Sequence, residues 1–213
     1  MASRQASMLS ARPPDARAAI ERSARDGYIA GMDAPTADAH AAAVLPILLP
    51  PHPALRARTR KVGPDDAAAV RDLVPRMLAT MYAAPGIGLA APQVGVTLRL
   101  AVVDLMPEDV PAPIVLVNPE ITRVSEDWAV REEGCLSLPG QYADVNRPAR
   151  VHVRYHDLDG KAQELEAEGL LAACLQHEID HLDGVLFVDH LSALKRNMIL
   201  RRLVKEQKQK AAG

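Results

Sequence analysis

Cysteine is scarce in this chain. Cys135 and Cys174 are the only two among 213 residues, too few for the disulfide framework of a secreted scaffold. A reducing cytosol, with at least one thiol kept for chemistry, fits that usage better. Long hydrophobic runs are missing too. The most apolar stretch near the start, Ala41 to Pro51, is interrupted by Pro46, Pro50 and Pro51, and nothing approaches the ~20 apolar residues that span a bilayer. Charge of one sign is not in excess either: a formal net charge of -2 offers no bulk attraction to nucleic acid. Residues 1–43 carry no continuous hydrophobic segment, which argues against a secretory signal. They balance five arginines with five acids, whereas an organelle transit peptide is poor in acids. That segment reads as a poorly ordered extension, or as the product of a start codon placed too early. No internal repeat is visible.

What is present is the composition of one soluble globular domain, 48% hydrophobic and 24% charged, long enough to bury a substantial core. Val70, Leu73, Val74, Met77, Leu78 and Met81 recur at helical spacing and predict a helix over Asp65–Tyr82, with Pro75 kinking or breaking it. A glycine-rich turn, Gly86-Ile87-Gly88, follows. Strand-like runs are expected at Leu98–Asp104, Ile114–Val117, Trp128–Arg131, Val151–Tyr155 and around Gln163–Ala167, with a hairpin turn at Asp157-Leu158-Asp159-Gly160. A second helix covers Leu170–Asp183 and stops at Gly184. A third, Ala193–Gln209, starts from Ser192 as N-cap and places Leu194, Met198, Ile199 and Leu203 on one side. Strands in the middle and helices at both ends imply an α+β fold: one domain of mostly antiparallel strands around the second helix, plus a C-terminal helix.

The chemistry concentrates on that second helix. In His177-Glu178-Ile179-Asp180-His181 the two histidines are one turn apart, so both imidazoles can face a single ion while Glu178 reaches a water on it. Leu170, Ala173 and Cys174 precede His177 by seven, four and three residues, which puts the histidines on the apolar side, where an unpaired imidazole is costly. Cys135, in Glu133-Gly134-Cys135-Leu136-Ser137, completes three ligands and leaves one tetrahedral position open, as catalytic sites require. A structural zinc site would need a fourth protein ligand, and none stands at a matching spacing. Cys174 reads as a core or pocket residue rather than a ligand.

Three segments, Gly86-Ile87-Gly88-Leu89-Ala90-Ala91-Pro92-Gln93, Glu133-Gly134-Cys135-Leu136-Ser137 and Gln176-His177-Glu178-Ile179-Asp180-His181-Leu182-Asp183-Gly184, taken in order, resemble the signatures of the bacterial peptide deformylases. The similarity runs from about Leu45 to Lys210. The resemblance implies that Cys135, His177 and His181 hold Fe2+, with Zn2+, Ni2+ or Co2+ as possible replacements, since these ligands alone do not choose among such metals. It implies removal of the formyl group from N-formylmethionine on nascent polypeptides by a hydroxide generated on the metal. Glu178 would carry the proton, and Gln93 with the Leu136 N–H would stabilise the oxyanion. Ile87, Gly88 and Gly134 would meet the substrate backbone, and Leu170, Ala173 and Cys174 the methionine side chain. An ion pair between Glu133 and Arg147 is expected behind the cysteine. Tyr142 stands where some relatives carry an arginine that helps hold the substrate backbone.

The chain divides accordingly into residues 1–43, a catalytic domain over 44–190, and a basic helix and tail over 191–213. Lys195, Arg196, Arg201, Arg202, Lys205, Lys208 and Lys210 face only Glu206 in that last segment. A solvated helix face accounts for such a run, and so does docking to the ribosome, as resembling enzymes with this extension do. Two rivals remain. A zincin-type protease takes its third ligand after the histidine motif, where Asp189, His190 and Glu206 are available. A non-catalytic derivative would not need the full set of Gln93, Cys135, Glu178 and both histidines.

Overall fold

The computed structural model describes residues 43–106 and 110–211; most of the N-terminal extension lies outside them. Helix α1 (Ala67–Ala83) is followed by β1 (Gly88–Ala90), β2 (Leu100–Val103), β3 (Ile114–Val124), β4 (Trp128–Cys135), β5 (Leu138–Pro148), β6 (Arg150–His156) and β7 (Ala162–Glu168). Helices α2 (Gly169–Leu182) and α3 (Ala193–Ala211) complete the chain. Five strands form an antiparallel sheet in the order β1-β2-β3-β6-β7, and β4-β5 form a separate hairpin. The fold is α+β, as expected.

Alternation along β2 explains how one sheet supports two helices. Leu100 and Val102 point to the side of α1, where Val70, Val74, Met77 and Met81 are buried. Ala101 and Val103 point to α2, against Leu171, Leu175, Ile179 and Leu182. Both faces of the central strands are therefore dry, and β2 reads as a continuous apolar run rather than an alternating one. A third cluster, Leu55, Leu138, Val145, Leu186, Phe187 and Leu203, lies under the β4-β5 hairpin.

Several expectations change. Helix α1 continues through Pro75 without a break; the bond that Pro75 cannot make is to the carbonyl of Arg71, a solvent-exposed residue. Strand β3 runs on past Val117 to Val124 because the Asn118-Pro119 step is taken as a bulge rather than an end. Asn118 adopts φ 54 and its amide bonds both the N–H and the carbonyl of Val62, at 2.8 and 3.0 Å. Strand β5 escapes sequence reading because its inward face includes Gln141 and Arg147, buried polar residues that mask the apolar period. The turn at 86–88 also contains the start of β1.

Helix α3 starts from Ser192, whose carbonyl accepts from the Arg196 N–H at 3.0 Å, but its buried face differs from the one expected. Leu203 is buried, Ile199 and Leu200 are partly so, while Leu194 and Met198 are 72% and 61% exposed. At 3.6 residues per turn they sit ~100–180° away from Ile199 and Leu203, too far round to share the contact. The β6-β7 hairpin turns as read: Gly160 has φ 79, and Asp157 Oδ1 accepts from the Asp159 and Lys161 N–H groups. Gly184 ends α2 with φ 76, at a place where a Cβ would stand 2.6 Å from the Arg56 carbonyl oxygen. No helix among the described residues is long and apolar enough to cross a membrane.

Candidate metal centre

The hairpin and α2 meet at the site. Cys135 ends β4, and His177 and His181 project from successive turns of α2 with ring centroids 5.0 Å apart. Their ligand atoms and the Cys135 sulfur all lie within 4.8 Å of one another, with Cys135 Sγ 3.2 Å from His181 Nε2. The donor set is therefore gathered as a cation requires. His177 Nδ1 donates to Glu133 Oε2 at 3.0 Å, which leaves Nε2 as its free donor atom. Burial, with the positive charges of Arg147 and Arg56, lowers the pKa of His181 well below its usual value and favours the neutral imidazole that a ligand needs.

Behind the ligands stands a charged network. Arg147 binds Glu133 in two-pronged fashion at 2.6 and 3.1 Å and reaches Asp180 at 2.7 Å, and Asp180 in turn meets His190 at 2.7 Å. Burial by itself would raise the Glu133 carboxyl, but hydrogen bonds from His177 and Arg147 and the charge of Arg147 bring it down to about 2. The Glu133–Arg147 pair is thus present, and Asp180 and His190 are members that sequence reading missed. Asp180 had a signal: it sits three residues after His177, on the adjoining flank of the same helix.

Glu178 is buried, and its Oε2 atom has no partner among the described residues. Burial pushes its carboxyl up to about 7, the range suited to taking and returning a proton. Gly88 leaves room for it, since a Cβ there would stand against Glu178 Oε1 and displace the carboxylate. The Gln93 side chain is locked from both ends. Its Oε1 accepts from the Ala90 N–H at 2.8 Å, and its Nε2 donates to Ser137 Oγ at 3.2 Å and lies 3.6 Å from Cys135 Sγ. Turn-capping and an amide aimed at a candidate metal ligand are thus one arrangement. Ser137, fully buried, is a further residue the sequence reading did not single out.

Every sequence-derived site residue except the deeper His181 lines one cavity of about 500 Å³. Ala173 and Cys174 are buried in its wall, while Leu170, 50% exposed, stands at the mouth instead of inside the apolar face. Burial and the charges of Glu178 and Glu133 raise the Cys174 thiol well above its usual pKa, keeping it neutral and apolar. The Tyr142 ring covers Gly134, where any Cβ would meet it at 2.5 Å. The third ligands available to a zincin are engaged elsewhere: Asp189 with Arg56, His190 with Asp180, and Glu206 with Arg202 and Gln141.

A family model described as polypeptide deformylase matches residues 44–197. The chain belongs to the peptide deformylase family. It is a hydrolase of protein biosynthesis, with a Cys-His-His site of the kind a metalloenzyme uses. The peptide deformylase of Mesorhizobium japonicum is 56% identical over 171 residues, covering 80% of this chain and 97% of its own. The crystal structure of a peptide deformylase from Legionella pneumophila superposes with a TM-score of 0.75 at 47% identity, over 80% of this chain and 99% of that one. A deformylase from Synechococcus elongatus in complex with actinonin superposes with a TM-score of 0.69 at 47% identity, over 74% and 86% of the two chains.

Proposed function

We propose that Cys135, His177 and His181 hold one ferrous ion, and that Glu178, Gln93 and Leu136 work beside it to deformylate N-formylmethionine on nascent chains. The observation that carries this reading is the buried Glu178 oxygen, without a partner among the described residues, beside three converging ligand atoms, two of which line the same cavity. A divalent cation held there would acidify a water and polarise the formyl carbonyl. Thiolate and imidazole suit iron, and zinc, nickel or cobalt as well; iron is preferred on the resemblance to bacterial deformylases.

The residues supply the rest. Glu178 takes the proton of the attacking water and hands it to the leaving amine as the formyl C–N bond breaks, releasing formate. The Gln93 amide and the Leu136 N–H donate to the oxyanion, a contribution of about 10²–10³ in rate per donor. Among the described residues the strand edge of β1 opposite β2, and that of β4 opposite β5, pair with no other strand. Ile87 and Gly88 beside one edge, and Gly134 on the other, line the cavity, so an extended peptide can add between them by main-chain hydrogen bonds. Leu170, Ala173 and Cys174 would then receive the methionine side chain. Tyr142 offers a ring, not the guanidinium of some relatives, to the substrate backbone.

Anaerobically prepared protein should cleave formyl-Met-Ala and leave casein intact, with about one iron per chain by elemental analysis. Cleavage of casein alone would overturn the assignment. Residues 44–190 are read as the catalytic unit and 191–213 as an appended basic segment. Arg201, Lys205 and Lys208 line one exposed side of α3, and docking to ribosomal RNA phosphates is proposed for it. Because Leu203 is buried in the core, charge reversal of these three residues tests docking better than truncation. Undiminished co-sedimentation with ribosomes would dispose of it. Work on nascent chains, together with two free thiols, supports a cytoplasmic setting.

A further inference from the structure

The cavity continues along β4 beyond the chemistry, and residues 131–135 all line it. At ~3.3 Å per residue this wall is ~13 Å long, enough to accompany several residues of an extended peptide. Alternation puts Arg131 on the same face of β4 as Glu133 and Cys135. Its guanidinium extends to the start of α2, where a Cβ built on Gly169 would lie 3.5 Å from Nη2. This brings it next to Leu170 and Ala173, the proposed methionine slot. Arg131 is solvent-exposed and makes no salt bridge or side-chain hydrogen bond with the described residues. Arg147, further along the hairpin, is by contrast saturated by Glu133 and Asp180. Among the described residues Arg131 is the only arginine on the cavity wall.

We propose that Arg131 is a specificity-determining residue, whose guanidinium selects an acidic side chain at the first or second residue after the formylated methionine. The proposal rests on the deformylase reading of the site. With the formyl group at Cys135 and methionine beside Gly134, a chain running back along β4 brings its next residues abreast of Glu133 and Glu132. There the long Arg131 side chain can meet a carboxylate with two parallel hydrogen bonds. The pair is open to solvent, so its effect is modest: about a two- to fivefold gain in kcat/KM at low salt.

The test uses the metal-loaded enzyme and two peptide series, formyl-Met-Xaa-Ala amide and formyl-Met-Ala-Xaa amide, with Asp, Asn or Lys at Xaa. Amidation removes the terminal carboxylate, so any preference reports the side chain. The parent enzyme should favour Asp over Lys in at least one series, with the ratio shrinking as salt is added. Arg131→Lys should keep the direction of the preference, Arg131→Ala should bring the ratio near unity, and Arg131→Glu should invert it. An unchanged Asp-to-Lys ratio in Arg131→Glu, or no preference in the parent, overturns the proposal. If no peptide is cut, the neutral Asn members included, the deformylase reading itself fails and takes this inference with it.

Discussion

At the scale of single residues, the proposed roles can be tested one side chain at a time. Glu178 has one oxygen without a partner among the described residues, so replacing the carboxyl by an amide changes proton transfer more than packing. Glu178→Gln should lower kcat by about 10²–10⁴ while metal content, measured by elemental analysis, stays at the parental level. Loss of the metal with the activity would assign Glu178 to binding instead. Glu133 acts at one remove, orienting His177 and neutralising Arg147. Glu133→Gln should weaken metal affinity by about 10–100-fold, as read by competition with a chelator. An unaltered affinity would show that the ring of His177 is held by packing alone.

At the scale of elements, the contacts that hold α1 and β2 together also set a pH dependence. Tyr82, near the end of α1, donates to Asp104 Oδ2 at 2.5 Å just after β2, and Asp104 also accepts from the Met106 and Ala112 N–H groups. Burial and the Asp104 carboxylate raise the Tyr82 hydroxyl above its ordinary value of 10.0. A raised pKa means the folded chain keeps a proton that the unfolded chain releases. The stabilisation is therefore complete below about pH 10 and declines as pH rises beyond it. Tyr82→Phe should cost about 1–2 kcal/mol at neutral pH and flatten the alkaline loss, as seen in thermal melts between pH 8 and 11. An identical alkaline slope in the variant would refute this. These elements were unequally legible. Helices α1 and α2 follow from their apolar period, and the β6-β7 turn from Asp157 to Gly160. Strand β5 did not, because Gln141 and Arg147 are buried through hydrogen bonds and charge pairing rather than hydrophobicity.

At the scale of the whole molecule, the apolar clusters that the described residues form on either face of the sheet include none of the candidate ligands, while the third only touches Cys135. Folding should thus survive loss of the ion. Chelation is expected to abolish hydrolysis and lower Tm by the linkage between binding and stability, with the far-UV circular dichroism of the cold apoprotein unchanged. Collapse of that spectrum on chelation would make the metal a structural one.

By itself the sequence picked out the candidate ligands Cys135, His177 and His181, the role proposed for Glu178, and the family, because these depend on residue type and on spacing within one helix or one strand. The tertiary structure decided which distant groups support them: Ser137 against Gln93, Asp180 and His190 behind Arg147, Leu170 at the mouth, and the rotation of α3 that leaves Leu194 and Met198 in solvent. Those outcomes rest on how β4, β5 and α2 pack together, and helical or strand periodicity says which side of an element is apolar without saying what will face it.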